Sequence, residues 1–262
     1  MIERIRGYRL ALGIEYDGTA YNGWQIQPHA PSIQAALNDA ISYVANEAVE
    51  CVGAGRTDTG VHATGQVAHF DTNALRTPHS WLMGINSRLS SDISALWVQP
   101  VDEVFHARFA ALHRIYCYVI LNRAVRSALH RDRAWWVRRP LDAERMQSAA
   151  NALVGEHDFS SFRASTCQAH SAVRTITELK VTREGDCLYV YCRANAFLHH
   201  MVRNITGSLV RIGGGDESPG WLGEALAAKD RRVAGITAPA AGLTLTRVEY
   251  PAEMLTQEIF KE

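Results

Sequence analysis

The sequence predicts an α+β protein, and three observations predict it. Up to about residue 103, strand-like runs and stretches with apolar residues at helical spacing follow one another as strand, helix, strand, strand, helix, strand. The rest of the chain repeats a mixture of strands and helices, which places the domain division at 1–103 and 104–262. Finally, 262 residues suffice for two cores, or for one large α/β unit.

Taken in order, Arg9 to Tyr16 reads as a strand stopped by Asp17-Gly18-Thr19. A loop mixing aromatics and amides, Tyr21 to Pro28, follows it. Aromatics and amides there suit a grip on bases, while the commoner role for Trp24 is to cover the edge of the core. Ser32 is a natural helix cap, and Ile33, Leu37, Ile41 and Val44 recur at helical spacing up to Asn46. Strands are expected at Val49–Ala54, Gln66–Asp71 and Ile93–Val101, with a helix from Trp81 to Leu89.

Between the second and third strands lies Gly55-Arg56-Thr57-Asp58-Thr59-Gly60-Val61-His62-Ala63. Its glycines permit turns, and its threonines can hold the turn still through local hydrogen bonds. In extended backbone Arg56 and Asp58 point the same way, so the guanidinium can aim the carboxylate. Asp-Thr-Gly alone is ordinary turn sequence. Turn formation, however, requires neither Arg56 nor His62, which marks the loop as a candidate functional site.

In the second half, Leu112 to Leu121 reads as a strand with Arg114, Tyr116 and Tyr118 on one face and Ile115, Cys117, Val119 and Leu121 on the other. The second set is expected to be core, and the first to offer a stacking surface for unpaired bases or to pack as a second layer. The stretch from Arg123 to Arg139 holds six arginines, His130, Trp135, Trp136 and one acid, Asp132. That composition suits phosphate contact. Asp142 caps a helix to Leu153, an irregular stretch runs from Asp158 to about Ala172, and Ile176–Arg183 and Cys187–Ala194 form a hairpin. The apolar stripe Val202, Ile205, Leu209 and Ile212 predicts a helix ending at Gly213-Gly214-Gly215. On it, His199 and Arg203 are expected to share a face. A guanidinium in such an apolar helix needs a carboxylate or phosphate, and Asp58 is the candidate partner. A short helix from Trp221 to Ala228 and a final strand from Leu243 to Tyr250 complete the chain.

Formal charge is zero, so no global field draws the protein to polyanions and any nucleic-acid site must be local. Five cysteines without a CxxC pair argue against a disulfide framework or a thiolate metal site. Neighbouring helix residues point about 100° apart, which makes His199-His200 a poor ligand pair. With neither a signal-peptide pattern nor a long apolar run, a soluble cytoplasmic protein is expected, without a membrane partner.

Seven motifs in order, Tyr16-Asp17-Gly18-Thr19, Gly23-Trp24-Gln25-x-Gln27, Gly55-Arg56-Thr57-Asp58-x-Gly60-Val61-His62-Ala63, Phe105-x-Ala107-Arg108, Arg114-x-Tyr116-x-Tyr118, Asn195-x-Phe197-x-His199-x-Met201-x-Arg203-Asn204 and Ala238-Pro239-x-x-Gly242-Leu243, resemble the tRNA pseudouridine synthase A family. The resemblance implies two similar domains of RRM- or ferredoxin-like α+β type, whose antiparallel sheets join into one extended sheet with the active-site cleft between them. It implies a homodimer that isomerises uridine to pseudouridine at positions 38, 39 and 40 of the tRNA anticodon stem-loop, without cofactor or metal. By motif, Asp58 would be the essential aspartate, Tyr116 the residue stacking on the target base, and Arg203 the guanidinium paired with Asp58. Arg56 would contact flanking RNA or close the cleft, and Leu243 would pack against the base.

The chemistry asks for such residues independently. Uracil must leave C1′, turn over and reattach through C5, and a carboxylate can serve as nucleophile at C1′ or as the base for the 2′ proton. A base flipped out of a stem needs a stacking surface. Two other readings compete. Asp58-Thr59-Gly60 is also the aspartic-protease tripeptide, but that chemistry needs two carboxylates sharing a proton and only one such tripeptide occurs here. A tRNA-binding module without catalysis would use the arginines and tyrosines but would have no need of Asp58.

Overall fold

The computed structural model describes residues Tyr8 to Leu255. The chain is mixed α+β and divides into two compact units, one running to Leu112 and resuming at Leu245, the other spanning His113–Thr244.

In the first unit β1 (Tyr8–Tyr16) is followed by α1 (Ile33–Ala45), capped by the Ser32 side chain through the Ala35 N–H. A two-residue β2 (Val52–Gly53), β3 (His62–Thr72), α2 (Pro78–Asn86) and β4 (Ile93–Val101) come next. β1 pairs antiparallel with β3 on one side and β4 on the other. Alternate β1 residues Leu10, Leu12 and Ile14 are fully buried, as are Ile33, Leu37 and Ile41 of α1 and Trp81 and Ile85 of α2. Phe70 of β3 meets Trp81 edge-on, ring centroids 5.3 Å apart. The predicted Val49–Ala54 strand is reduced to β2, while β3 begins four residues earlier than predicted, at His62.

The second unit contains β5 (His113–Asn122), β6 (Trp135–Val137), α3 (Ala143–Ala150), β7 (Gly155–Asp158), β8 (Val173–Glu184), β9 (Cys187–Ala194), α4 (Met201–Gly213) and α5 (Trp221–Ala228). Its strands lie in the order β5, β9, β8, β7, all antiparallel, with β6 running parallel beside the end of β5. The β8–β9 hairpin turns at Gly185, as its Glu-Gly-Asp sequence predicts. Helix α3 packs on α4 and β8, and α4 packs on β5.

The compact units are drawn differently from a division at 103 and 104. β10 (Leu243–Glu249) starts in the second unit, and from Leu245 onward it lies beside β3 in the first. It holds the stretch after residue 103 there too. Leu112 N–H donates to the Glu249 carbonyl at 2.8 Å, the Phe105 and Tyr250 rings lie 5.1 Å apart, and the Tyr250 hydroxyl donates to the Ala107 carbonyl at 2.7 Å. These contacts are remote in sequence and leave no local signal.

Two expectations change with α4. The helix begins at Met201, and His200 before it has a left-handed backbone (φ 63°), so His199 and Arg203 are not successive-turn neighbours on one helix. α4 is also buried almost all round, not along one stripe. On β5 the Arg and Tyr face, which could have been an open stacking surface or a packed second layer, is the better covered. Arg114, Tyr116, Tyr118 and Ile120 are all buried, whereas Ile115 and Val119 opposite them are half-exposed.

Candidate active site

The Asp58 loop is clamped from below by the turn that ends β1. Asp17 caps that turn, accepting from the Thr19 N–H at 3.0 Å and the Thr19 hydroxyl at 2.6 Å. The Gly18 N–H donates to Nδ1 of buried His62 at 3.1 Å, and Asp17 Oδ1 lies 3.1 Å from the same nitrogen. Trp24 N–H donates to the Thr57 carbonyl at 3.0 Å, and Gly60 N–H to the Tyr21 carbonyl at 3.3 Å. Tyr16, whose hydroxyl burial pushes up to about 12, meets the Thr57 hydroxyl at 2.8 Å. On the far side the fully buried Gln66 amide donates to the Gly55 carbonyl at 2.8 Å.

Two close approaches make glycine necessary in this clamp. Gly23 has φ +87°, and a Cβ there would lie 2.4 Å from the Thr57 carbonyl oxygen. At Gly18 a Cβ would lie 2.0 Å from the Val61 carbonyl oxygen. The first three sequence motifs therefore serve one purpose, which is to hold residues 57–61 in a fixed path. Within that path Thr57 is buried, Asp58 half-buried and Arg56 exposed. Such a loop holds the carboxylate in a fixed place.

Arg56 makes no ion pair or hydrogen bond among the described residues, contrary to the expectation that it aims Asp58. Between Gly55 and Thr59 the backbone lies in no strand, so the two-residue alternation that would put both side chains on one side does not apply.

In the second unit, Arg203 and Leu243 are held by the stretch 238–243, which also bonds Tyr118 of the strand that carries Tyr116. Arg203 Nε donates to the Ala238 carbonyl at 2.7 Å, and Ala238 N–H returns a bond to the Arg203 carbonyl at 3.1 Å. The Tyr118 hydroxyl donates to the Pro239 carbonyl at 2.7 Å, and a turn at Ala240–Gly242 then delivers buried Leu243. Burial raises the Tyr118 hydroxyl well above its ordinary range, and the charge of nearby Arg203 offsets part of the rise. Tyr116, two residues along the same face, is 7% exposed and meets Phe197 edge-on at 5.0 Å. Arg114 is committed to structure, with Nη1 donating to the Asn195 carbonyl at 2.9 Å.

Sequence reasoning missed the polar network that fixes residues 231–238 against α4. Asn204, fully buried, donates through Nδ2 to the Phe162 carbonyl at 2.8 Å and accepts at Oδ1 from Arg231 at 3.0 Å and Thr237 at 2.6 Å. The Ser208 hydroxyl accepts the Gly235 N–H at 2.8 Å. The one available signal was an Asn and a Ser inside an apolar helix, since buried polar groups need partners.

The arginine-rich stretch 123–139 is less positive than its composition. Arg123 pairs with Asp186 at 3.5 Å, Arg131 with Asp132 at 2.9 Å and Arg139 with Asp216. The exposed Arg126 and Arg138 have no such acid among the described residues. The buried Cys51 and Cys117 thiols are raised to about 12 and 11 by burial, which is the state of small core residues. No helix among the described residues is long and apolar enough to cross a membrane.

A model of the family described as tRNA pseudouridine synthase matches residues 13–110 and 149–251. The tRNA pseudouridine synthase A of Hydrogenovibrio crunogenus is 53% identical over 92% of this chain and 92% of its own. That of Nitrosococcus oceani is 53% identical over 93% of this chain and 94% of its own, and that of Colwellia psychrerythraea 52% identical over the same shares.

Proposed function

Because this chain belongs to the tRNA pseudouridine synthase family, and is thereby an isomerase acting on tRNA uridine, we propose that its targets are positions 38, 39 and 40 of the anticodon stem-loop. The clamped Asp58 loop is the observation that carries the reading. A network reaching from Tyr16 to Gln66 holds the path of five residues around a single half-buried carboxylate. A module that only bound RNA would have no need of it.

The reaction breaks the N1–C1′ bond, turns the uracil and forms a C5–C1′ bond. C5 gives up its hydrogen as a proton and N1 gains one, so atoms and electrons balance without a redox partner. Asp58 acts at the ribose, as nucleophile on C1′ or as base toward the 2′ proton, and both routes call for one fixed carboxylate. Tyr116 takes the stacking role, Leu243 packs on the base, and Arg203 takes the charge-pairing role toward the aspartate. The exposed Arg56 reaches the flanking RNA. The enzyme works as a homodimer in the cytoplasm and uses neither cofactor nor metal. This reading rests on likeness of motif, and on the second unit holding Arg203 against Ala238 and Tyr118, two residues along β5 from Tyr116, against Pro239, just before Leu243.

Position is tested with tRNA transcripts tritiated at uridine C5. Transcripts carrying uridine at 38, 39 or 40 should release tritium. Replacing those uridines by cytidine should stop release while every other uridine remains. Release that persists in the replaced transcripts would contradict the anticodon assignment.

A further inference from the structure

From Phe159 through Thr177 the chain contains no acidic residue but holds Arg163, His170 and Arg174. In the structure both arginines are tied to this segment, and Arg174 lies close enough to Cys167 and to Arg163 to feel their charges. Arg163 Nη2 donates to the Cys167 carbonyl at 3.1 Å. Arg174 Nη1 donates to the carbonyls of Ser171, at 3.0 Å, and Val173, at 2.6 Å. Arg174 Nε is buried and donates to nothing among the described residues. No carboxylate among them pairs with either guanidinium. Burial destabilises the Arg174 cation, nearby Cys167 offsets part of that, and the Arg163 charge works against it again.

Two guanidiniums held together with a buried donor unused is a costly arrangement that an anion would relieve. Arginine presents a fork that matches phosphate, and half-exposed residues leave it room to approach. Ser165, Thr166, Gln168 and Ser171 of the same segment are exposed and offer neutral donors.

The pair is stitched to the segment that bears the predicted binding residues. Thr175, next to Arg174, donates its N–H to Asn195 Oδ1 at 3.0 Å and accepts the Asn195 N–H at 3.2 Å. Ala164, next to Arg163, donates to the His199 carbonyl at 2.9 Å, and the Thr166 hydroxyl lies 3.2 Å from His199 Nδ1. Phe197, between those anchors, packs on Tyr116. We propose, on the reading that tRNA is the substrate, that Arg163 and Arg174 form a phosphate-binding site that grips the RNA backbone beside the nucleotide presented to Tyr116.

The test measures dissociation constants for unmodified tRNA across a series of sodium chloride concentrations, with wild type, Arg163→Gln, Arg174→Gln, the double variant and Arg174→Lys. Thermal melts accompany each. Loss of one phosphate contact should weaken binding roughly tenfold at low salt and flatten the plot of log affinity against log salt by about 0.7–0.9. Arg174→Lys, which keeps the charge without the fork, should recover most of the slope and less of the affinity. Sulfate at matched ionic strength should compete with tRNA more strongly than chloride for wild type, and no more strongly for the double variant.

A lowered melting temperature with affinity and slope unchanged would overturn the site in favour of a structural role. Sulfate that raises the wild-type melting temperature while slopes stay the same in all variants would mark a free-anion site, and overturn the RNA reading. If Arg174→Gln fails to fold, half-exposed Arg163→Gln carries the same test. Because the readout is tRNA binding, it is independent of tritium release, and failure of the isomerase reading would be seen separately.

Discussion

At Gly23 a single hydrogen in place of a side chain decides where Asp58 sits. The residue combines a left-handed backbone with a 2.4 Å approach of any Cβ to the Thr57 carbonyl oxygen, one residue from the carboxylate. Gly23→Ala therefore has to open the turn or push the loop, because backbone cannot swing aside as a side-chain tip does. It should destabilise the protein by about 1–3 kcal/mol. It should also lower kcat by about 10²-fold, the scale expected when a catalytic group is displaced by an ångström. Thermal melts and initial rates on the same preparation check this together. A variant that melts lower but turns over at the wild-type rate would show that the clamp fixes the fold and leaves Asp58 unaffected. The other predicted residues divide in a similar way. Tyr118, beside Tyr116 in the motif, spends its hydroxyl on Pro239 and Arg114 spends a nitrogen on Asn195, so one motif mixes scaffold and site.

Among the elements, β3 links the loop to the pH response of the fold. His69 on this strand is 4% exposed and accepts the Ala107 N–H at Nδ1, 3.1 Å away, so it is folded as a neutral ring. Burial, then the charges of Arg9 and His106, lower its pKa to about 4, with Asp71 opposing them. The sign follows from the unfolded value of about 6.5. Between the two values the unfolded chain takes up a proton that the folded ring refuses, so stability is full above about 6.5 and is lost as pH falls toward about 4. The loss is at most about 3 kcal/mol. Urea unfolding between pH 7.5 and 4.5 should show it for wild type, and His69→Gln should flatten the dependence. An equal slope in both proteins would assign the loss to other groups.

Elements set by local rules were readable in the sequence. Ser32, Asp142 and the Glu184-Gly185-Asp186 turn each stand where a cap or hairpin is found, because a cap or tight turn is decided by neighbours in the chain. What depends on remote packing was not readable. Nothing near residue 201 announces that His200 turns left-handed before α4, and β5 gives no local sign that its Arg and Tyr face is the more completely buried. At the site, Asp58 stood out by its motif, while the use of Tyr16, Gly18 and Gly23 as its floor appears only when the β1 turn and the loop are seen together.

For the molecule as a whole, the family fixes the reaction, and we assign its acid to the clamped Asp58 loop. Neutral net charge means that the grip on tRNA comes from local clusters, and acids occupy several of the most obvious arginines. Arg163 and Arg174 pair with no carboxylate among the described residues, and Arg174 keeps a buried donor unused. The central claim is that Asp58 performs the chemistry and not merely the binding. Tritium release from C5-labelled tRNA, compared between wild type and Asp58→Asn at saturating tRNA, tests it most directly. Asparagine keeps the shape of the side chain and removes only its charge and basicity. Release should fall by about 10³-fold or more with tRNA affinity retained. Release from Asp58→Asn within tenfold of wild type would contradict the account and move the search for the catalytic group elsewhere in the protein.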